Sequence, residues 1–314
     1  MTPQIESLAG DSTRLAALRP ALKMRSKALL GVRLFFQSRD FIEVETPTRL
    51  KFPALETHID AEPSGEYYLR TSPELHMKRL LAAGYERIYQ IGPCFRKGER
   101  GERHHPEYTM LEWYRIDSDY MDILKDTHGL VAELARRATG GTSRITIQGR
   151  NVDLAREWKV ITVSEAFKTF AGWDPAENFD EDRFNRDLVE KVEPALPLHQ
   201  PTILKDYPIE AGAFARSKPG APHLAERWEL YLGGLEIANA YSELIDPIEQ
   251  ESRFHKAAEA RAVLGKPVYP IDAQFIECMK AGLPPCAGIA LGLDRLLMVF
   301  AQAASLDEVM AFRE

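Results

Sequence analysis

Apolar residues recur at helical spacing between Leu15 and Ser38, with Leu22, Leu29, Val32 and Phe36 on one stripe, and predict an opening helix. The period then changes. In "DFIEVETP" Phe41/Ile42, Val44 and Thr46 alternate with acidic residues as far as Pro47, predicting a strand closed by proline. "SPELHMKRLLAAGY" (72–85) predicts a helix entered through Ser72 as cap, Pro73 in the first turn and Glu74 near the positive helix end. "RIYQIGPCFRKG" and "PEYTMLEWYRI" read as two strands around a charged loop, and 120–138 as a further helix. From about 140 to 222 the periodicity weakens into acidic, proline-punctuated material, read as a variable insertion. Order returns in "ERWELYLGGLEIANAYSEL", where two alternating runs flank Gly-Gly and predict a hairpin. A charged helix over 247–264 follows, then a glycine-punctuated segment, "PPCAGIALGLDRLLMVFAQA", that runs into an apolar helix. Strands parted by insertions of unequal length, without a β-α-β rhythm, predict an α+β domain on an antiparallel sheet.

Period two sorts the strand residues into faces. Tyr108, Met110, Glu112 and Tyr114 point one way; Asn239, Tyr241 and Glu243 share a face of the second hairpin strand. If both faces line one cavity, they form a box of carboxylates, phenols and an amide that suits an ammonium group. Either strand alone describes a half-exposed sheet face equally well. Arg96 ends the strand before the charged loop, Arg103, His104 and His105 lie on its far side, and Arg295 stands in the first helical turn after Gly288 and Gly292. Converging arginines of this kind suit a polyphosphate, and a helix N-terminus adds to the field; an ion pair with Asp294 is the alternative use of Arg295.

The chain has 314 residues, a formal charge of −7, 45% hydrophobic and 28% charged positions, as in an ordinary globular protein. An acidic total argues against nonspecific grip on nucleic acid. Cys94, Cys278 and Cys286 form no CxxC pair, and no HExxH occurs, so reduced thiols and no zinc site are expected. No apolar run reaches membrane-spanning length and no secretion signal opens the chain, so a cytoplasmic protein is expected. Neither GxGxxG nor GxxxxGK[ST] occurs in the required context, which leaves Rossmann and P-loop nucleotide binding without support.

"FFQSRDFIEVETP", "FRKGERGERHHPEYTMLEWY" and "GIALGLDRLLMVF", in that order, resemble the three signature motifs of class II aminoacyl-tRNA synthetases. "YLRTSPELHMKRLLAAGYERIYQI" and "GGLEIANAYSELIDP" narrow the resemblance to the lysyl subgroup. It runs from about residue 20 onward and is weakest over 140–222. It implies a catalytic domain over 13–314 after a loose lead-in at 1–12, a six-stranded antiparallel sheet flanked by helices, and a homodimer. The lysyl-synthetase anticodon-binding domain is not expected, and the chain looks like the short paralogues that attach β-lysine to a lysine of translation elongation factor P. ATP and Mg2+ are the implied co-substrate and cofactor; tRNA is not the implied acceptor. A free-standing tRNA-charging enzyme and a non-catalytic regulatory paralogue are the other readings.

Residue by residue, the resemblance implies that Arg96 bridges the α-phosphate and substrate carboxylate, while Arg295, with Arg103 nearby, holds the γ-phosphate. Tyr108 would stack on adenine, with Lys97, Gly98, Glu99, His105, Ile237 and Gly292 around the nucleotide. Ser72, Pro73 and Glu74 would face the backbone-end amine. Glu112, Tyr114, Asn239, Tyr241 and Glu243 would take the side-chain ammonium, and Glu236 and Glu243 would bear on magnesium. This sequence departs from the pattern in four places. Arg96-Lys97-Gly98 stands for Arg-Asn-Glu, leaving Glu99 as the substitute acid, and His104-His105 stands for His-Asn. Glu236 and Glu243, seven apart, fall on opposite faces of an ideal strand, so sharing a metal needs a bulge or break. Ala290 replaces a glycine, and its methyl would crowd an α-amino group, which favours a β-amino substrate.

Overall fold

The computed structural model describes residues 11–313, so most of the expected lead-in lies outside the described residues. The opening helix, Arg19–Gln37, turns Ala28, Gly31, Val32, Phe35 and Phe36 inward. Gly31 packs directly against the helix Tyr120–Thr139: a Cβ there would lie 2.6 Å from Cδ of Arg137. The second helix begins at a capping box in which Asp119 accepts from the backbone of Met121 and Asp122, and it ends at Gly140 in the left-handed region.

Six antiparallel strands form the middle of the main sheet, in the order Arg87–Phe95, Glu107–Ile116, Cys286–Gly292, Leu235–Ser242, Ala221–Leu232 and Thr202–Pro208. Ile42–Glu43 adds to one edge and Lys159–Thr162 to the other, both in parallel, and Ser217–Lys218 pairs with Ala221–Leu232. The expected α+β architecture with a six-stranded antiparallel core is therefore present, extended at its edges. One sheet face carries Leu111, Trp113, Trp228, Leu230, Ile289 and Leu291 into a core with the helices Arg19–Gln37, Tyr120–Thr139 and Leu293–Ala301. Burying an apolar side chain of this size stabilises the fold by about 1.5–3 kcal/mol. The other face is left for the site. All three cysteines are free thiols, and among the described residues no helix is long and apolar enough to cross a membrane.

Three expectations need correction. The strand over 41–46 shrinks to Ile42–Glu43, because beyond Val44 the chain leaves the ladder and Thr46 N–H donates instead to the Gln90 side chain at 2.9 Å. The helix over 72–85 is Glu74–Ala82 with Pro73 at the cap position; Ser72 Oγ still accepts from the Glu74 N–H at 3.0 Å. The stretch 140–222 is not wholly an insertion. Its Thr202–Pro208 is an inner strand of the main sheet, with Leu204 and Tyr207 buried in a satellite core beside Phe167 and Phe184. Acidic, proline-rich flanks hid a strand whose pattern is continuous burial rather than alternation.

Candidate active site

Register between the three central strands lays out the floor. Glu112 pairs with Ala290 and Ala290 with Asn239, while Asn239 faces Glu229 on the next strand. One row along, Tyr114, Gly288, Tyr241 and Arg227 line up in the same way. Directly paired residues share a sheet face. All of these except Gly288 line one cleft of about 980 Å³.

The hairpin turn at Gly233 and Gly234, both at positive φ, sends the chain back along the sheet. Tyr231 pairs with Glu236 but Leu230 with Ala238, so Ile237 is an extra residue in its strand. This bulge brings Glu236 to the face of Asn239 and Tyr241, where strict alternation forbids it. Glu243, just past the strand end, also lines the cleft.

The acidic end is tightly bonded. Ser72 Oγ donates to Glu112 Oε1 at 2.7 Å and Tyr114 OH to Glu112 Oε2 at 2.9 Å. Asn239 Nδ2 donates to Tyr241 OH at 2.9 Å. Lys78, fully buried, places its ammonium 2.5 Å from both Glu74 and Glu243. Burial and the neighbouring Glu74 push the Glu112 carboxyl up to about 7, against the hydrogen bonds from Ser72 and Tyr114 that favour the anion. Lys78 is held charged above its ordinary range by Glu243 and Glu74, which outweigh its burial.

The opposite end is cationic. Arg96 lies 3.7 Å from Glu99, its guanidinium 5.4 Å from the Tyr108 ring, and its buried Nε has no hydrogen-bond partner. Arg295 donates to the Glu236 carbonyl at 3.0 Å and sits 2.6 Å from His104 Nε2. Burial and Arg295 lower the His104 pKa, in keeping with a ring nitrogen that accepts from the guanidinium. The alternative partner, Asp294, instead bonds Arg25 and accepts from Thr109 N–H at 2.6 Å. The tip of the charged hairpin is fastened from behind. Arg313 donates to the carbonyls of Gly101 at 2.6 Å and His104 at 3.1 Å, and Leu306 N–H to Glu102 O at 2.9 Å.

Of the residues singled out from sequence, Ser72, Glu74, Arg96, Glu99, Arg103, His105, Tyr108, Glu112, Tyr114, Glu236, Ile237, Asn239, Tyr241, Glu243, Ala290, Gly292 and Arg295 line the cleft. Pro73, Lys97 and Gly98 do not. Pro73 is buried beneath the helix start, and Lys97 and Gly98 are exposed, with Lys97 N–H donating to Asp60 O at 2.7 Å and Gly98 at φ 80°. His105 Nδ1 is turned to the Glu107 carbonyl at 2.7 Å, leaving His104 against Arg295. Among the described residues no group of three or more His, Cys, Asp or Glu is arranged to hold a metal. Glu236 offers a half-exposed carboxylate at the cationic end, a fit for a hard cation whose shell is completed by phosphate oxygens. Glu243 is already bonded by Lys78.

Sequence reasoning missed Lys78, Arg227, Glu229 and Glu56. Lys78 follows Glu74 by one helical turn, a spacing that signals an ion pair but not its burial. Arg227 and Glu229 alternate with Trp228 and Leu230, the same signal that exposed Glu112. Arg227 donates to Asn239 Oδ1 at 3.2 Å and to Glu229 at 2.5 Å.

A basic end and an acidic end thus share one floor, and comparisons with known proteins show the family to which the chain belongs. Residues 11–314 match the family described as tRNA synthetases class II (D, K and N). The lysine–tRNA ligase of Pelotomaculum thermopropionicum is 36% identical over 324 residues, covering 94% of this chain and 63% of that protein. Those of Magnetococcus marinus and Carboxydothermus hydrogenoformans are 34% and 35% identical, each across 94% of this chain and 64% and 65% of their own lengths. The chain therefore spans less than two thirds of these curated relatives. With that match along almost its whole length, it belongs to the class II tRNA synthetases of the D, K and N group.

Proposed function

We propose that the protein activates (R)-β-lysine with ATP as an aminoacyl-adenylate and transfers the β-lysyl group to a lysine side chain of translation elongation factor P. The observation that carries the reading is the floor row Glu112–Ala290–Asn239. The side-chain ammonium of the substrate enters among Glu112, Tyr114, Asn239, Tyr241 and Glu243, and its backbone-end amine meets Ser72 and Glu74. The Ala290 methyl narrows the floor between them, which disfavours an amine on the α-carbon and leaves room one carbon further along.

The carboxylate oxygen of the amino acid attacks the α-phosphorus, and pyrophosphate leaves. Arg96 holds the two anions in line, and its unpartnered Nε is the donor the α-phosphate would satisfy. Arg295 and Arg103 hold the departing phosphates, and Tyr108 stacks on the base. Glu236 would hold a magnesium ion, which would supply neutralisation of phosphate charge; Glu243 would join it only if released by Lys78. The first helix leaves Leu30 and Leu34 exposed, one turn apart, with Ile42 on the edge strand, an apolar face that fits the expected homodimer.

The test is incubation with ATP, magnesium, β-lysine and unmodified elongation factor P, read by intact mass. Gain of one β-lysyl group is expected; no gain from a preparation active in ATP–pyrophosphate exchange would reject this acceptor. The relatives' names favour lysine–tRNA ligation as the second reading, and charging of total tRNA with radiolabelled lysine checks it.

Ala290→Gly should move the ratio of β-lysine to α-lysine activation towards α-lysine by about 10-fold, the scale of one methyl in a fitted pocket. Pyrophosphate exchange with each amino acid measures it, and an unmoved ratio removes Ala290 from specificity.

The raised Glu112 pKa gives a further expectation. A carboxyl raised above its unfolded value makes the empty fold less stable as pH rises through that interval, and an arriving ammonium drives the proton off. The KM for the diamino acid should therefore fall as pH rises from about 6 to about 8, with proton release on binding. Calorimetry in two buffers of different ionisation enthalpy checks this; binding without proton release at about pH 6 contradicts it.

A further inference from the structure

The cleft contains an acid for which the adenylation step has no role. Glu56 lies on the cleft-lining loop Leu55–Ile59. The other acids of the two ends are engaged. Glu74 and Glu243 bond Lys78, Glu112 accepts from Ser72 and Tyr114, Glu229 from Arg227, and Glu236 and Glu99 pair with Arg295 and Arg96. Among the described residues, the Glu56 carboxylate accepts no hydrogen bond and forms no ion pair.

Its backbone, by contrast, is firmly held. Arg261 is fully buried and donates to Glu56 O at 2.7 Å, Ile59 O at 2.8 Å, Asp60 Oδ1 at 2.6 Å and Pro267 O at 2.7 Å. A buried guanidinium with four such bonds fixes a loop whose one cleft-facing acid is left unbonded. That combination presents a carboxylate to a ligand rather than tying down a surface.

We infer that Glu56 is the general base of the transfer step, receiving the proton of the acceptor amine as it enters beside Arg96 and Glu74. The inference rests on the acyl-transfer reading above. The charged groups facing Glu56 are Arg96, Glu74, Arg227 and Arg261. Half-buried by accessible surface but set within the cleft wall, Glu56 has its carboxyl raised to about 7 by desolvation, opposed by Arg96 and reinforced by Glu74, which suits proton transfer near neutral pH. The acceptor arrives as R–NH3+. One proton passes to the Glu56 carboxylate, and the freed lone pair forms the C–N bond to the adenylate carbonyl. The bond from that carbon to the phosphate oxygen breaks, and AMP departs with the electron pair. The second nitrogen proton goes to the departing phosphate, leaving a neutral amide.

The experiment compares nucleophiles that do and do not need a base. Adenylate formed from ATP, magnesium and β-lysine is captured at pH 7 by n-butylamine, which is protonated like lysine, or by hydroxylamine, which is already neutral. Unmodified elongation factor P is run in parallel, and products are followed by mass. Glu56→Gln should lower the butylamine-to-hydroxylamine rate ratio about 100-fold, Glu56→Asp should lower it less, and the deficit should shrink as pH approaches about 10. Hydroxylamine capture by the variant reports that it folds and forms adenylate. A ratio within about threefold of wild type overturns the inference. A Glu56-dependent ratio without modification of elongation factor P would support Glu56 and reject that acceptor. No product with any nucleophile from the wild-type protein would overturn both.

Discussion

Arg96→Ala is expected to lower ATP–pyrophosphate exchange by about 10³-fold while leaving thermal unfolding nearly unchanged. Among the described residues the guanidinium makes one loose ion pair, at 3.7 Å to the partly exposed Glu99, and one ring contact, with Tyr108; contacts of either kind add about 0–1 kcal/mol to stability. Its importance to the fold is therefore small. Its importance to the proposed adenylation is large, because the attacking carboxylate and the α-phosphate would both be anions to be held in line. Arg96→Lys keeps the charge but loses the planar fork, and should recover only part of the rate. Exchange kinetics with each substrate varied in turn give the measurement. A loss under about tenfold would place the reacting phosphate elsewhere.

Gly288→Ala is expected to cut kcat/KM for the diamino acid by about 100-fold, mainly through KM, and to lower the melting temperature as overpacking does. A Cβ at this position would lie 2.2 Å from the Tyr114 ring and 2.7 Å from Glu243 Oε1. Neither neighbour can withdraw. Tyr114 is buried and donates to Glu112, and Glu243 is bonded by Lys78. Both walls of the proposed ammonium site would have to shift together. Steady-state exchange kinetics beside a thermal melt separate the two effects; an unchanged KM would mean that the Tyr114 ring does not border the substrate.

The floor was legible before any coordinates because its residues obey period two. Tyr108, Glu112 and Tyr114 could be assigned to one face from spacing alone, as could Asn239 and Tyr241. The Gly-Gly turn, the charged hairpin and the Arg295 helix start were legible for the same local reasons. What could not be read depends on distance through the fold. Lys78 reads as one half of an exposed i,i+4 pair until Glu243, far along the chain, closes over it. Glu56 sits in a loop without periodicity, and its holder, Arg261, reads as a polar position of a charged helix. Thr202–Pro208 shows why the weak segment was misjudged: a strand buried on both faces loses the alternation that marks its neighbours.

The extra residue at Ile237 has a consequence for how this gene can vary. Removing that single codon would leave the polar lining of the cleft encoded and would make the ladder with Ala221–Leu232 regular. Glu236 would stay opposite Tyr231, now by strict alternation, on the face it already shares with Asn239 and Tyr241 and within reach of Arg295. Adding a codon beside it is the opposite case: unless the bulge widens, Glu236 would slip to the face of Leu230 and Trp228 and lose its place beside Arg295.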